Sequence, residues 1–371
     1  MTPVVAVLKV LKSTHPKAEL RFWCDKKFYS HAEGIIHHFD SSIPVQAIYS
    51  GKLRRYHNMP LWKQLINPSI VLPNLRDMLL VGIGGLQSIV KLLVWRPDVV
   101  FTKGGFVCLP VGLAAKLLHI PLVIHDSDAH PGLTNRILSK WATAIGTGAP
   151  LEYYNYPKAK AHYVGIPVAD NCAPLTPTEQ ASAKQGFGVD PERPLVVITG
   201  GGLGARRINQ VVLGSLDDLL AVCSVILISG SGQYDELVPL TPANNDQFQL
   251  HPFVTPLTPM LGAADIVIAR AGATTLLELA AMAKPTVIIP NGHLTGGHQL
   301  KNAAVYSDKQ AVVVVTEDEL DSAPAAIVDT VTRLIEHPAE REQLGERIHA
   351  FAKPRAATDM AEMILAAIKS K

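Results

Sequence analysis

Short runs of apolar, often β-branched residues alternate along the chain with longer segments of helical periodicity. The runs are continuously apolar, which is typical of parallel strands that are buried on both faces. They are ELRFWC, DVVFTK and LVIHDS in the first half and PLVVITG, SVILISG, ADIVIAR, PTVIIP and AVVVV in the second. Strand, turn and helix in repeated order predict a doubly wound α/β fold.

The 371 residues are sufficient for two such domains. A stretch with five prolines and little apolar periodicity, residues 164–194, separates the two groups of strands, and we place the junction between Ala169 and Asn171. We therefore predict an N-terminal domain of residues 1–169 and a C-terminal domain of residues 170–354. Residues 355–371 form an amphipathic pattern, with apolar Met360, Ile364 and Ile368, and are predicted to be a helix that joins the first domain.

Charge, cysteine spacing and the apolar stretches disfavour several classes of function. The formal net charge of +2 is too small to indicate a nucleic-acid partner. The four cysteines are far apart and form no CxxC pair, so neither a zinc site nor a redox dithiol is indicated, and a reducing, cytoplasmic environment is expected. The first residues do not follow the pattern of a secretion signal. The apolar stretch 69–95 is interrupted by Pro73, Arg76, Asp77 and Lys91 and predicts a poor membrane span.

The first chemical signal is the turn in VVITGGGLGARRINQ, where a strand leads through Gly200, Gly201, Gly202 and Gly204 into a helix. Glycines let backbone N–H groups approach an anion, and the helix adds the positive end of its dipole. The turn predicts a phosphate site, with a tight turn that binds nothing as the alternative. A dinucleotide site is disfavoured, because the following strand, SVILISG, does not end in the acidic residue that holds the ribose.

A second turn, in IARAGATTLLELAA, repeats this arrangement at residues 270–278. Gly272 bends the chain, and Ala273, Thr274 and Thr275 present N–H groups at a helix start. A carboxylate at Glu278 can accept both hydroxyls of a ribose, whereas the alternative is a solvated helix residue. Arg270 is open to two interpretations, a cation near the phosphates or a surface ion pair.

Polar groups follow other predicted strands. The loop PNGHLTGGHQLKNA presents His298, Gln299 and Asn302, while His293 alone carries little weight. In the first half, FTKGGFVCLPVG and LVIHDSDAHPGLTN place polar or glycine residues after two strands. These residues are Gly104, Gly105, His125, Asp126 and Asp128. Ligands of open parallel sheets bind outside the carboxyl ends of the strands, so two such domains are expected to face each other across a cleft.

Taken together, GGGLGARRIN, ARAGATTLLELAAMAKPTVIIP, HQLKNA, GGFVCLPVGLAAKLLHIPLVIHDSD and PGLTN resemble the MurG family of UDP-N-acetylglucosamine transferases along nearly the whole chain. The resemblance implies the GT-B architecture of two Rossmann-like domains, with the sugar nucleotide held mainly by the second. It implies transfer of GlcNAc from UDP-GlcNAc to the C4 hydroxyl of MurNAc in lipid I, with inversion and release of UDP. It implies no metal or other cofactor at the donor site.

The resemblance also implies roles for individual residues. It places Gly201 and Gly202 near the diphosphate and the backbone of Val254 at the uracil, with Glu278 at the ribose and Gln299 at a sugar hydroxyl. The diphosphate turn corresponds to Ala273, Thr274, Thr275, Leu276 and Leu277, with Arg270 beside it. The sugar contact corresponds to Asp128, and the acceptor side to Gly104, Gly105, Phe106 and Asn135.

The chain departs from the family pattern at several of these positions. A family serine is Gly202, and the family segment HEQN is HDSD, so that its glutamate is Asp126 and its sugar-contacting asparagine is Asp128. The arginine after GNPV is Ala169, which removes a candidate phosphate contact, and the tyrosine after GG is Phe106. These differences affect the roles assigned to individual residues more than the resemblance to the family.

For the chemistry, the acceptor hydroxyl needs a base and the departing UDP needs its charge stabilised. Asp126 is the first candidate for the base and His125 the second. Stabilisation of the charge on the leaving group is assigned to the 200–204 loop, Arg270 and the 273–275 turn. The two domains are expected to close around the donor.

A lipid-anchored acceptor implies a peripheral enzyme at the cytoplasmic face of the membrane, with other cell-wall synthesis proteins as candidate partners. Basic residues stand beside aromatic and aliphatic ones in residues 51–95, which suits anionic lipid. They are Lys52, Arg54, Arg55 and Lys63, beside Trp62, Leu65, Ile66, Leu79 and Leu80. The alternative is that these apolar residues belong to the core.

Three rivals stay open. Another GT-B enzyme with a lipid acceptor would share the donor motifs, but GGFVCLPVG and PGLTN argue against it. An NAD-dependent oxidoreductase is disfavoured by the missing ribose acid. An inactive sugar-nucleotide-binding relative is the third.

The opening MTPVVAVLKVLKS is a helical pattern that leads directly into a strand. In the family, a strand and a loop resembling GGTGGHxxP precede the corresponding helix, and Pro3 aligns with the proline of that loop. The resemblance therefore predicts that the first strand, the glycine loop and a histidine, a further candidate base, are encoded in frame upstream of Met1.

Overall fold

The computed structural model describes residues 2–52, 60, 66–168, 172–201, 204–242, 245–292 and 297–369. The chain divides into two compact units, Met1–Val168 with Pro354–Lys371 and Ala169–Lys353. The predicted junction residues, 169–171, lie outside the described part of the chain.

The first unit contains both ends of the chain. Its helices and strands are α1 (Thr2–Thr14), β1 (Phe22–Asp25), α2 (Tyr29–Phe39), β2 (Val45–Ile48), α3 (Pro68–Trp95), β3 (Val100–Thr102), α4 (Cys108–Leu117), β4 (Leu122–Asp126), α5 (Leu133–Leu138), β5 (Ala144–Thr147), β6 (Ala161–Tyr163) and α16 (Ala356–Lys369). The strands form two parallel sheets, one of β1 and β2 and one in the order β3-β4-β5-β6. The amphipathic segment at the chain end is the predicted helix, α16, and its Met360 and Ile364 are buried against Val7 and Leu11 of α1.

The second unit is continuous in sequence. Its elements are α6 (Pro177–Gly186), β7 (Leu195–Thr199), α7 (Arg206–Gly214), α8 (Leu216–Val222), β8 (Ser224–Ile228), α9 (Tyr234–Leu237), β9 (Phe248–His251), α10 (Thr258–Ala263), β10 (Ile266–Ala269), α11 (Ala273–Ala281), β11 (Thr286–Ile288), α12 (His298–Ser307), β12 (Val313–Val314), α13 (Glu317–Ser322), α14 (Ala326–Glu336) and α15 (Pro338–His349). Its six parallel strands have the order β12-β11-β10-β7-β8-β9, the doubly wound order that the strand pattern predicts.

Continuous burial explains why these apolar runs form strands. All five residues of β7 and all five of β8 are buried, as is the whole of β10. Side chains point alternately to the two faces of a sheet, so a strand without an exposed face has no polar alternation to show in its sequence. The helices on both faces supply the partner surfaces.

The helix α3 packs on the first unit along a narrow stripe. Its buried residues are Ile70, Asp77, Gly84, Ser88 and Leu92. A side chain at Gly84 would overlap the carbonyl oxygen of Tyr49, and one at Gly51 would overlap the backbone of Asp77, so glycine at both positions lets the backbones approach closely.

The opposite side of α3 is apolar and exposed. Its exposed large residues are Leu72, Leu75, Met78, Leu79, Ile83, Leu86, Val90, Leu93 and Val94. Within the described residues α3 is the one helix long and apolar enough to cross a membrane, and 17% of its most apolar window is buried. We call this set of residues the apolar face of α3.

The close approach at Gly84 is testable by substitution. Gly84→Ala should lower the free energy of unfolding by about 1–3 kcal/mol, because the added methyl group forces α3 away from Tyr49. Gly82→Ala on the same helix is the matched control, since nothing lies within 4 Å of a side chain there. That change should stabilise the helix by up to about 1 kcal/mol through helix propensity. Urea unfolding measures both, and equal effects of the two substitutions would contradict the packing described.

Candidate functional site

Two glycine-containing turns lie side by side in the second unit because the strands before them are neighbours. The last residues of β7 and β10 pair in register, Thr199 opposite Ala269. The strand order also reverses direction between these two strands, and ligands of doubly wound sheets bind at this position. The turns after β7 and β10 therefore share one edge of the sheet, as the sequence predicts for a phosphate site.

The glycines after β7 are needed because the backbone there passes too close to neighbouring residues for a side chain to fit. A side chain at Gly200 would overlap Ala205, and one at Gly204 would overlap the carbonyl oxygen of Ser229. Gly201 and Gly204 have φ of 79° and 72°, in the left-handed region that favours glycine. The N–H of Gly201 donates to the hydroxyl of Thr199 at 3.2 Å. Gly202, assigned by the resemblance to the diphosphate, lies outside the described residues.

The turn after β10 presents backbone rather than side chains. Gly272 has extended geometry immediately before α11, so the N–H groups of Ala273, Thr274 and Thr275 occupy the first turn of the helix, where no intrahelical acceptor exists. The side chains of Leu276 and Leu277 are buried in the core. These two residues can therefore support an anion site only by holding the helix in place.

Glu278 lies one turn into α11 and is partly buried. Its carboxylate makes no hydrogen bond to any part of the chain that the structure describes. Burial without a compensating donor raises the pKa of Glu278 to about 7. A desolvated carboxylate in this state gains from any ligand that brings hydroxyl or N–H donors, which disfavours the alternative of a solvated helix residue.

Arg270, for which the sequence left open a cation beside the phosphates or a surface ion pair, makes its contacts within the protein. Its side chain is buried, donates to the carbonyl oxygen of Ile289 at 3.0 Å and forms an ion pair with Glu317 at 2.6 Å. The alternative, an ion pair, is what the structure contains, although the pair is buried rather than on the surface. Arg270 thus fixes the start of the turn through β11 and α13.

Two further predicted donor residues follow other strands of this sheet, β9 and β11. Val254 follows β9 in a partly exposed loop. Gln299, on the first turn of α12, accepts a hydrogen bond from the N–H of Asn291 at 2.8 Å. The amide of Asn302 on the same helix donates to the carbonyl oxygen of Ala271 at 3.1 Å, so α12 is tied to the turn after β10.

The first unit brings its predicted residues together in the same way. Thr102 of β3 pairs with Ile124 of β4, so the glycines that follow β3 lie next to the end of β4. Gly104 and Gly105 have φ of 79° and 87°, and a side chain at Gly104 would come within 2.9 Å of the amide of Asn135. Asn135 is buried and donates to the carbonyl oxygen of His125 at 3.0 Å. Asn135 therefore braces this edge, while Phe106 is half-buried beside it.

Asp126, the last residue of β4, is the carboxyl group at this edge that several neighbouring groups contact. Burial raises the pKa of Asp126 to about 6, although hydrogen bonds from Tyr156, Asn135 and the backbone of Gly132 oppose the shift. A carboxylate with this pKa is ionised at neutral pH and is a stronger base than an exposed aspartate. Asp128 is partly buried, and its backbone carbonyl accepts from the hydroxyl of Tyr154 at 2.7 Å.

His125, the second candidate base, is fixed in the interior. It is 1% exposed, and its Nε2 bonds to the carbonyl oxygen of Gly165 at 2.8 Å. Burial, with the nearby charge of Lys103, lowers the pKa of His125 to about 3, so the ring stays neutral. The geometry favours a structural role for His125 and leaves Asp126 as the base candidate of this edge.

Sequence reasoning missed two residues of this group. Tyr156 lies in the segment between β5 and β6, which has no periodic pattern that would identify a site residue. Lys103 directly follows β3, and this position after a strand could have identified it as a site residue. Burial lowers the pKa of Lys103 to about 8, although the charges of Asp128 and Asp126 favour its protonated form.

Models of known families match both units. The glycosyltransferase family 28 N-terminal domain matches residues 1–147, and the C-terminal domain of the same family matches residues 195–360. The chain belongs to glycosyltransferase family 28. The residues described above at the ends of β3, β4, β7 and β10 fall within these two matches.

Curated relatives within family 28 cover most of the chain. A protein of Staphylococcus carnosus is 31% identical over 86% of this chain and 81% of its own length. One of Listeria monocytogenes is 28% identical over 99% of this chain and 96% of its own length. Both are named UDP-N-acetylglucosamine–N-acetylmuramyl-(pentapeptide) pyrophosphoryl-undecaprenol N-acetylglucosamine transferase.

Solved structures share the fold. MurG of Acinetobacter baumannii has a TM-score of 0.74 at 21% identity and covers 98% of this chain and 95% of its own. The glycosyltransferase VinC has a TM-score of 0.65 at 14% identity and covers 100% of this chain and 96% of its own. These likenesses confirm the predicted two-domain α/β fold of the GT-B class, and the family model and relatives confirm the family resemblance.

The contact between Tyr156 and Asp126 predicts a measurable shift. Tyr156→Phe removes a hydrogen bond that stabilises the carboxylate, so the pKa of Asp126 should rise above about 6. Tyr154→Phe is the control, because the hydroxyl of Tyr154 bonds to backbone atoms of Asp128 and Ala149. Carbon-13 NMR of labelled aspartate across a pH titration measures the shift, and an equal rise in both variants would refute the assignment.

Proposed function

We propose that this family 28 chain transfers N-acetylglucosamine from UDP-N-acetylglucosamine to the C4 hydroxyl of the N-acetylmuramyl unit in undecaprenyl-diphospho-MurNAc-pentapeptide, lipid I. The product is lipid II, a precursor of peptidoglycan, and UDP is released. The relatives from Staphylococcus carnosus and Listeria monocytogenes carry names that describe this transfer. The single observation that carries the proposal is the desolvated carboxylate of Glu278, which has no hydrogen-bond partner among the described residues and lies beside two glycine turns.

The donor side of the proposal assigns the diphosphate to backbone amides. The turn around Gly201 and the first turn of α11 both present N–H groups at the reversal point of the sheet, and the dipole of α11 adds partial positive charge. Ribose hydroxyls would donate to Glu278. The backbone of Val254 would pair with uracil, and Gln299 with a hydroxyl of the sugar. Arg270 would contribute by holding the turn, since its charge is balanced by Glu317.

The acceptor side of the proposal assigns the base to Asp126. In the inverting reaction a bond forms between the acceptor O4 and the anomeric carbon as the bond from that carbon to the phosphate oxygen breaks. The proton of the hydroxyl passes to Asp126, and the electron pair of the broken bond leaves with UDP. A carboxylate with a pKa of about 6 is mostly ionised at pH 7 and accepts that proton more readily than an exposed aspartate would.

Glu278 tests the donor assignment. Because ribose hydroxyls stabilise the ionised form, bound UDP should lower the pKa of Glu278 from about 7, and affinity should fall as pH drops below 7. Glu278→Gln should weaken UDP binding about 10- to 100-fold and abolish this pH dependence. Calorimetry between pH 5.5 and 8 measures both.

The same variants test the reaction. The chain incubated with UDP-GlcNAc and a lipid I analogue should release UDP, and Glu278→Gln should reduce the rate at subsaturating donor. Gln343→Glu, on the exposed surface of α15, is a control that should change neither binding nor rate. Absence of UDP release from the unchanged chain at high enzyme concentration would refute the proposed transfer.

We also propose that the chain works as a peripheral protein on the cytoplasmic face of the membrane, where the lipid-anchored acceptor resides. The apolar face of α3 supports this proposal. A helix of 28 residues is about 42 Å long, and one side of α3 is packed on protein through Asp77, Gly84 and Ser88. A helix attached in this way suits the interface plane better than a span surrounded by lipid. Other cell-wall synthesis proteins stay candidate partners.

Part of the predicted basic and aromatic patch lies outside the described residues, namely Arg54, Arg55, Trp62, Lys63 and Leu65. Of the rest, Lys52, Ile66 and Leu79 are exposed, and Leu80 is partly buried. The alternative interpretation, that these apolar residues form core, is therefore disfavoured for Ile66 and Leu79.

Leu86→Glu tests the membrane proposal. Replacing a leucine that would insert into lipid by a negatively charged residue should reduce binding to anionic phospholipid vesicles about tenfold or more. Leu240→Glu in the second unit is matched in exposure, at 66% against 68% for Leu86, and should bind as the unchanged chain does. Sedimentation with vesicles measures the difference, and equal binding of the two variants would count against a docking role for α3.

A further inference from the structure

Two ion pairs connect the short helix α13 with residues beside the two turns to which the diphosphate is assigned. Glu317, the first residue of α13, pairs with Arg270, which directly follows β10. Asp321, one helical turn later, pairs with Arg207 on the first turn of α7. Residues four apart in a helix lie on the same side of it, so one side of α13 carries both carboxylates.

These contacts bridge strands that are not neighbours in the sheet. The helix α13 follows β12, whereas Arg207 follows β7, and β11 and β10 lie between those two strands. Arg270 follows β10, which β11 separates from β12. Pairing between adjacent strands alone therefore does not fix the position of α13 relative to the two turns, and the side-chain pairs supply that link.

The helix α13 is itself held in place independently of the two pairs. It begins with a capping box, in which the hydroxyl of Thr316 accepts from the N–H of Glu319 at 3.1 Å and the carboxylate of Glu319 accepts from the N–H of Thr316 at 2.6 Å. Just before it, the N–H of Val315 donates to the carbonyl oxygen of Ile288 at 3.0 Å. Leu320 is buried in a core to which α7 also contributes. The helix is thus a fixed support for its two carboxylates.

The two pairs differ in what they contribute to stability. Arg270 and Glu317 are both 10% exposed, and loss of one partner would leave the other charge buried without compensation. Arg207 is 35% exposed and Asp321 is 57% exposed. Exposed ion pairs contribute little to the free energy of folding. Removal of Asp321 therefore separates an effect on the placement of α7 from an effect on the fold.

We propose that α13 is a positioning element of the donor site, in which Glu317 and Asp321 together hold the turn after β10 and the start of α7 at the separation that a bound diphosphate needs. Arg207 and Arg270 are positioning residues, because their charges are paired within the protein. The inference rests on the proposed function, since it requires the diphosphate of UDP to lie between the turns after β7 and β10.

Charge and placement predict opposite effects for Asp321→Asn. A carboxylate near a diphosphate repels it, so its removal would strengthen UDP binding if charge alone acted. If α13 positions the two turns, loss of the pair with Arg207 lets the start of α7 move relative to α11. The backbone donors on the two turns then no longer fit one diphosphate, and UDP binding weakens.

The test uses the 371-residue chain, with calorimetry for UDP and an NMR titration for uridine, which has no phosphate. Asp321→Asn should weaken UDP binding about three- to tenfold and leave uridine binding unchanged. Arg207→Gln should have the same effect. The double variant should be no weaker than either single one, because both changes remove the same contact. Glu317→Gln is expected to lower the melting temperature as well, so the Asp321 and Arg207 variants decide the test.

Glu236→Gln is the matched control. Glu236, on α9, pairs at 2.9 Å with Arg206, the residue before Arg207 on α7, and both side chains of this pair are exposed. The change removes one negative charge beside the same helix start but leaves α13 intact. It should not weaken UDP binding.

Unchanged or tighter UDP binding by Asp321→Asn would overturn the positioning role of α13, and the proposed transfer would stand if the unchanged chain still releases UDP from UDP-GlcNAc. Equal weakening of UDP and uridine binding would also overturn it, because the loss would then not be specific to the diphosphate. If the unchanged chain bound no UDP, the proposed function itself would be contradicted, and this inference with it.

Discussion

The register between neighbouring parallel strands is the constraint on which the candidate site depends. In each unit glycine turns follow strand ends, so their relative positions depend on the pairing of Thr199 with Ala269 and of Thr102 with Ile124. The register is held by strands with buried side chains on both faces, since a slip of one residue would exchange the two faces of every strand. The apolar runs therefore determine the site more than the polar residues do.

Charge pairing separates structural ionisable groups from candidate functional ones. Arg270 with Glu317, and Lys184 with the partly buried Asp265 at 2.7 Å, are pairs whose charges are balanced inside the protein. Leaving one partner unpaired would be strongly unfavourable, so these groups hold elements in place. Glu278 and Asp126 differ, because burial raises the pKa of each carboxyl and no cation forms an ion pair with either within the described residues. Such groups are suited to ligands and protons.

Much of the fold follows from the sequence, and the omissions have physical causes. All eight predicted strand runs contain a strand, whereas β2, β5, β6 and β9 were not predicted, because these strands have three or four residues and include glutamine, glycine or histidine. Local pattern reasoning located the glycine turns and Glu278. It could not show that Glu317 neutralises Arg270, since 47 residues separate the pair, or that Tyr156 reaches Asp126. Contacts of this kind depend on tertiary packing and leave no periodic signal.

The packing of α1 against α16 brings the first and the last helix of the sequence into one unit. The second unit, by contrast, is an uninterrupted segment that ends before α16. During synthesis on the ribosome, the second unit can complete its core before α16, which belongs to the core of the first unit, has been made. We therefore expect the order of folding during translation to be the reverse of the order of synthesis, with Met360 and Ile364 among the last residues to close a core.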